Sequence, residues 1–205
     1  IFLIGFIIAQ NEVCFDIEPN MNTNAGFSYF TKYINVLDCF EIYAEDNISD
    51  AKILHAAAVA AELLDNNEDG IVDDLLLKEE LTNREALIPI LRNEWSDAAT
   101  DFFDNYNGDG ASAVLFNFEI DPNNTGHWGD DATVEEVIHV INDIGHVSIY
   151  PDWFELDPNS SYMSNAMDIA RGGQFINHPD EYPEEAWYHY DDWTCDYQCM
   201  AIEYL

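Results

Sequence analysis

Apolar and polar positions recur with the period of a helix over much of the chain. Ser49-Asp50 precedes an Ala-rich run with apolar side chains at 53, 54, 57, 61 and 64, which predicts a capped amphipathic helix over 50–64. An acidic loop follows at 65–74. Residues 75–91 read as one or two short helices, with Asn83 a candidate cap and Pro89 disturbing whichever helix contains it. Residues 95–103 predict another helix and 105–110 a turn-rich break. The best strand candidate is 113–119, Ala-Val-Leu-Phe-Asn-Phe-Glu, short and rich in β-formers between breakers. Thr133 opens a helix with Thr-x-x-Glu, a capping box, and Gly145 is placed to close it. Helices are also predicted at 161–171, stopped by Gly172 and Gly173, from Pro183 at its favoured first position, and after Thr194 as the cap of the last. The expected fold class is α+β, mostly helical with a small sheet. No linker divides residues 10–205, so they read as one domain.

Six Lys and Arg stand against 41 Asp and Glu, a formal charge of −35. That imbalance excludes nucleic acid and anionic membranes as partners and makes metal ions the natural ones. It does not imply disorder, because 48% apolar and 14% aromatic residues exceed what a solvated, self-repelling chain carries. Residues 1–9 form an apolar run of signal-peptide length with Ala9 suited to cleavage, too short to span a bilayer. They read as a partial signal peptide, which predicts a secreted protein; a buried N-terminal strand is the alternative. Sequons at Asn47, Asn123 and Asn159 agree with export and glycosylation. Cys14, Cys39, Cys195 and Cys199 are an even set, expected in an exported protein to form two disulfides in one of three connectivities. The Cys195/Cys199 spacing suits a bridge only where a helix is distorted or ends nearby.

The run Asp65-Asn-Asn-Glu-Asp-Gly-Ile-Val-Asp changes the picture from acidity to chemistry. Asp65, Asn67, Asp69 and Asp73 supply side-chain oxygens at loop positions 1, 3, 5 and 9, and Ile71 a carbonyl at position 7. Gly70 stands sixth, where the sharp turn needs glycine, and apolar Val72 stands eighth. This reads as an EF-hand-type calcium loop, extending over 65–76, with a solvated acidic turn the alternative. At position 12 it departs from the pattern: Leu76 replaces the bidentate Glu, so Glu79, Glu80, water or a carboxylate from elsewhere completes the shell. Asn105-Tyr-Asn-Gly-Asp-Gly is a weaker echo of the same pattern.

From Thr133 the chain reads Thr-Val-Glu-Glu-Val-Ile-His-Val-Ile-Asn-Asp-Ile-Gly-His. At about 100° per residue, Glu135, His139, Asn142 and His146 fall in one stripe, opposite Val137, Ile138, Ile141 and Ile144. Glu135 and His139, one turn apart, are placed to chelate one metal ion. His146, roughly 10 Å beyond His139 on a straight helix, is too far to share that ion unless the helix ends at Gly145. The helix resembles the active-site helix of zincin metallopeptidases, whose His-Glu-x-x-His stands here as Glu135-Glu136-x-x-His139. The resemblance covers about residues 111–205. It implies a zincin-like core, Glu135 in place of the first ligand, Glu136 as general base, His139 as second ligand, and Glu203 on a later helix as a third, carboxylate ligand. It also implies a peptide or protein substrate and Zn2+ or another divalent metal. Exchanging imidazole for carboxylate adds negative charge, which favours harder metals or marks lost catalysis. The wider pattern, with Ala-Met-Asp-x-Ala-Arg-Gly-Gly at 166–173 and Tyr-Asp-Asp-x-Thr-Cys-Asp-Tyr at 190–197, is similar to a set of uncharacterised secreted proteins.

Three other features carry weaker signals. Asp168 and Arg171, three apart, predict an intrahelical ion pair, with a substrate-clamping Arg the alternative. Trp187, Tyr188, His189, Tyr190 and Trp193 predict a helix packed on the core, with carbohydrate stacking the alternative. His189 and His127 are additional candidate ligands or acid-base groups. Two functions follow as expectations: a secreted calcium-binding protein with a metal-dependent peptidase or degenerate peptidase site, or a non-catalytic acidic calcium-binding or matrix protein.

Overall fold

The computed structural model describes residues 15–123 and 131–205. The leader at 1–9, Cys14, His127 and the last two residues of the Asn123 sequon lie outside them. Within them, five strands form one mixed sheet in sequence order: β1 (Glu18–Pro19), β2 (Phe30–Val36), β3 (Phe40–Glu45), β4 (Leu87–Leu91) and β5 (Leu115–Phe116). The first three run antiparallel, while β4 and β5 run parallel to β3. Parallel neighbours need long crossovers. These are supplied by α1 (Asp50–Leu64) with α2 (Leu75–Asn83), and by α3 (Asp97–Asn105). After β5 come a 3₁₀ turn (Asn117–Glu119), α4 (Thr133–Val140), a π-helical turn (Ile141–His146), α5 (Val147–Ile149), α6 (Pro151–Phe154), α7 (Tyr162–Ala170) and α8 (Tyr197–Glu203). The class is α+β; helix accounts for about 40%, so the sheet weighs more than the sequence pattern predicts.

The pleat explains how the sheet is covered. Phe40, Ile42 and Ala44 of β3 and Ile88 and Ile90 of β4 face Ile53, Ala56, Ala57 and Ala60 of α1 and Val137 and Val140 of α4. The alternate residues Tyr43, Leu87 and Leu91 face Phe27, Phe30 and the Ala98, Ala99 and Phe102 side of α3. A third apolar cluster joins Leu156, Met163, Met167, Tyr197 and Met200 and carries α7 and α8. No described helix is long and apolar enough to cross a membrane.

Several expected elements change. Residues 87–91 are strand rather than helix: all five are buried, and the helix before them ends at Asn83. Pro89 is tolerated there because β5 pairs only with Ile90 and Leu91, beyond it. The strand at 113–119 shrinks to two residues, because Glu119 Oε2 accepts the Phe116 N–H (2.9 Å) and curls the chain. The 105–110 loop closes on its own ring: the Tyr106 hydroxyl accepts the Gly110 N–H at 3.0 Å. The start of α4 is capped by Asp131, which accepts both the N–H (3.1 Å) and the hydroxyl (2.5 Å) of Thr133; Thr133 itself is buried inside the helix. Gly145 closes nothing. It lies within the π turn, where a Cβ would stand 2.3 Å from Leu77 Cδ1, so glycine serves close approach to α2. No helix starts at Pro183, and Asp196 rather than Thr194 caps α8, accepting the Cys199 N–H at 3.0 Å.

Asp131 also binds His55 Nε2 of α1 at 2.7 Å, tying the two helices that cover the sheet. Burial alone would raise the Asp131 carboxyl's pKa, but hydrogen bonds from Thr133 and His55 outweigh it and hold the group below its ordinary value. A depressed carboxyl stabilises the fold above its unfolded pKa of about 4 and loses that contribution as pH falls through its folded pKa. Asp131→Asn is therefore expected to lower urea-unfolding stability by about 1–3 kcal/mol at pH 7. The gap between variant and wild type should narrow on acidification; a gap that widens with acid rules out this role.

Candidate functional site

The triad named from the sequence comes together. One ligand atom each of Glu135, His139 and Glu203 lies within 4.8 Å of the others, and among the described residues this is the only such group of three His, Cys, Asp or Glu. Glu135 is exposed, His139 buried and Glu203 half-buried. Helical spacing accounts for the first pair, since residues four apart share a face. The third member requires the fold.

Glu203 occupies the last turn of α8, so whatever anchors α8 positions it. A disulfide joins Cys195 to Cys199 with Cα atoms 5.4 Å apart. Cys195 lies before the Asp196 cap, outside the helix, so the four-residue spacing is no obstacle. Cys39 is buried with no sulfur partner among the described residues. Below the helix, Arg171 is 0% exposed. Its Nη2 donates to Asp168 Oδ1 at 2.9 Å, Nη1 contacts Met200 Sδ at 3.1 Å, and its guanidinium lies 5.2 Å from the Tyr197 ring centroid. The expected Asp168–Arg171 ion pair is present. Full burial removes the substrate-clamp alternative.

The triad sits among further acids. Glu136 Oε2 lies 3.7 Å from His139 Nδ1. Glu119 stands at the start of the same helix: its carbonyl accepts the Ala132 N–H at 2.9 Å. Burial would lower the His139 pKa, but the Glu136 contact and the charges of Glu203, Glu136 and Glu135 prevail and raise it. The Glu203 carboxyl is raised by burial first, against the pull of His139 and with the push of Glu135 and Glu136. Glu119 is raised by burial, then by Glu136 and Glu135. These shifts describe a partly desolvated group of like charges, which a divalent cation would relieve.

Among the described residues, the other histidines fall elsewhere. His146 Nδ1 contacts Asn142 Oδ1 at 2.7 Å and its ring stacks on Phe154, while His189 stacks on Tyr182. The aromatic segment containing His189 forms no helix, and Trp187 and Trp193 are exposed. Glu119 and Tyr190, whose hydroxyl's pKa is raised by burial and then by the charge of Glu203, were not singled out by spacing as parts of this site. The signals available were that Glu119 ends the strand candidate and that Tyr190 opens the 190–197 run.

The loop at 65–73 turns its oxygens inward without gathering three carboxylates into such a group. Buried Asp65 accepts the N–H groups of Asp69 (3.2 Å) and Gly70 (2.6 Å). Asp69 Oδ1 accepts the Ile71 N–H at 3.0 Å, and Asp73 accepts the Asn66 N–H at 2.9 Å and faces Asn67 Nδ2 at 3.0 Å. Glu68 and Gly70 have φ of +60° and +83°. Leu76 is exposed and Glu80 faces Arg84 at 3.9 Å. The next residue, Asp74, caps α2 and accepts the Tyr150 hydroxyl at 2.7 Å, linking the loop to the far end of the triad's helix.

Comparison with protein-family models, curated proteins and solved structures finds no match to this chain.

Because Arg171 is buried against Asp168, removing the acid leaves an uncompensated guanidinium under α8. Asp168→Ala is expected to cost about 3–5 kcal/mol in denaturant unfolding. A cost below about 1 kcal/mol, the range of exposed ion pairs, would show that the pair does not anchor this region.

Proposed function

We propose that this chain is a secreted, calcium-binding, metal-dependent peptidase of zincin-like plan, with Glu135, His139 and Glu203 as the metal ligands. The observation that carries the reading is the convergence of those three side chains from two helices far apart in the sequence. The donor set fits a divalent ion: two carboxylates and an imidazole favour manganese or iron(II) at least as much as zinc. Such an ion, when bound, polarises water or a carbonyl. The remaining work falls to the chain. Glu136, next to one ligand and 3.7 Å from another, serves as the general base, taking a proton from the attacking water and delivering it to the leaving amine. Burial of His139 keeps solvent from one side of the centre.

Calcium binds in the 65–76 loop through Asp65, Asn67, Asp69, the Ile71 carbonyl and Asp73. The inward-turned oxygens and the left-handed Gly70 support this. Without a bidentate ligand at Leu76 the ion is a structural brace of modest affinity.

Elemental analysis of the purified chain, with and without chelator, tests both assignments. The expected result is calcium together with about one transition metal per chain. Glu135→Gln and Glu203→Gln should lose the transition metal; Glu136→Gln should keep it and lose peptide hydrolysis. Calcium alone, with all three variants indistinguishable from wild type, would leave the non-catalytic calcium-binding reading. Asp65→Ala with Asp69→Ala should lower the melting temperature in calcium and not in chelator; equal losses in both would remove the calcium assignment.

A further inference from the structure

Between Arg171 and Asp196 the chain has no helix or strand beyond a single bridge, Asn177 to Asp196. Its shape comes from side chains. The Tyr182 ring stacks on His189, centroids 4.8 Å apart and planes 5° from parallel, and meets Phe175 edge-on at 5.8 Å. The Tyr182 hydroxyl donates to the Tyr190 carbonyl (3.0 Å) and accepts the Tyr190 N–H (3.3 Å), closing the segment on itself. The N–H groups of Trp187 and Tyr188 both reach the Ala170 carbonyl, at 2.9 and 3.2 Å, which docks the segment on the end of α7.

This closed segment grips one residue. The last carbonyls of a helix lack intrahelical donors. At the end of α8 the Tyr188 hydroxyl supplies one, donating to the Glu203 carbonyl at 3.1 Å, while the Tyr188 ring packs edge-on against Tyr204 at 5.1 Å. Tyr190, two residues on, packs against the C-terminal apolar cluster that carries α8, where burial and then the charge of Glu203 push its hydroxyl's pKa up. The backbone of Glu203 is thus held by a tyrosine that the closed segment itself fixes. A Glu in the frayed last turn of a seven-residue helix would otherwise sample several rotamers.

We propose that Tyr188 is a positioning residue that presets Glu203 as a metal ligand, the 182–190 segment that holds it acting as an aromatic clasp on the centre. The inference rests on the metal-centre reading above. Outer partners that orient a ligand set metal affinity without touching the ion. The clasp also accounts for two rings of the aromatic cluster, Tyr188 on Tyr204 and His189 on Tyr182, while Trp187 and Trp193 stay exposed.

The test is calorimetric titration of the full chain with Mn2+ and with Zn2+, plus the electron paramagnetic resonance spectrum of bound Mn2+. Tyr188→Phe keeps the ring and removes the hydroxyl. It should weaken binding about 10- to 100-fold and alter the Mn2+ spectrum, with the melting temperature in chelator unchanged. Tyr182→Phe, which opens the closed segment without touching Glu203, should give a smaller loss and decides the matter if Tyr188→Phe does not fold. If both bind as wild type while Glu203→Gln does not bind, the clasp is wrong and the centre stands. If wild type binds neither ion better than Glu203→Gln, the centre is wrong and the clasp falls with it.

Discussion

The helical run from Thr133 to Ile149 lies between two cores, and the site depends on how it divides its surface between them. Val137, Val140, Ile141 and Ile144 fill the main core against α1 and the sheet, whereas Val147 packs toward the C-terminal cluster. With one side committed to the sheet, Glu135 and His139 must face the C-terminal elements. The π turn that follows His139 permits this double commitment. Along and after this wider turn, His146 contacts Asn142 and stacks on Phe154, outside the Glu135, His139 and Glu203 group. Gly145 then lets the Leu77 side chain of α2 pack directly on the turn, a position a methyl group would force it to leave.

What the sequence made legible follows from period. α1 was read to its observed limits because its apolar spacing is strong and its alanines suit a helix lying close on a sheet. The Glu135/His139 pair needed only four-residue spacing. Failures occur where context overrides local signal. The run at 87–91 is short and wholly apolar, ambiguous between a buried strand and a helix segment, and only its neighbours β3 and β5 decide it. The strands at 30–45 were not assigned. In β2, Phe30, Ile34 and Val36 are buried between more exposed positions, but a shift of register after Phe30 breaks the alternation; in β3 three consecutive residues, Ile42, Tyr43 and Ala44, are buried, so it does not alternate either. Caps were misplaced by two residues because Asp131 and Asp196 outcompete the nearby threonines for the free N–H groups. The 174–194 segment has no period at all, since side-chain hydrogen bonds and ring contacts shape it.

The third member of the triad lay beyond local spacing for a different reason. Glu203 was named by likeness, while its arrival beside His139 depends on Arg171, buried under α8 and bonded to Asp168, and on the bridge at the helix start. A fully buried guanidinium is costly unless paired. Here its cost is offset by the acid and by the Tyr197 and Phe175 rings, 5.2 and 5.7 Å from it. In a chain of charge −35 a cation inside the molecule also lessens self-repulsion around the acids that surround it.

The charge balance connects the two ends of this molecule. The acids at 65–73 and the group of Glu119, Glu135, Glu136 and Glu203 are both arrangements whose repulsion a divalent ion would relieve. They are joined mechanically through Asp74, which caps α2 and holds Tyr150, and through the contact of α2 with Gly145. A change in the loop's geometry would therefore reach the triad's helix at its C-terminal end, near His146 and Tyr150, and only weakly at Glu135. Glu135 is braced independently by Asp131 and His55. The helix is held at both ends by different acids, one beside the loop and one tied to α1, so the middle turn carrying His139 is the best-fixed part of the site. Glu203 is the member whose position is made by the C-terminal elements alone.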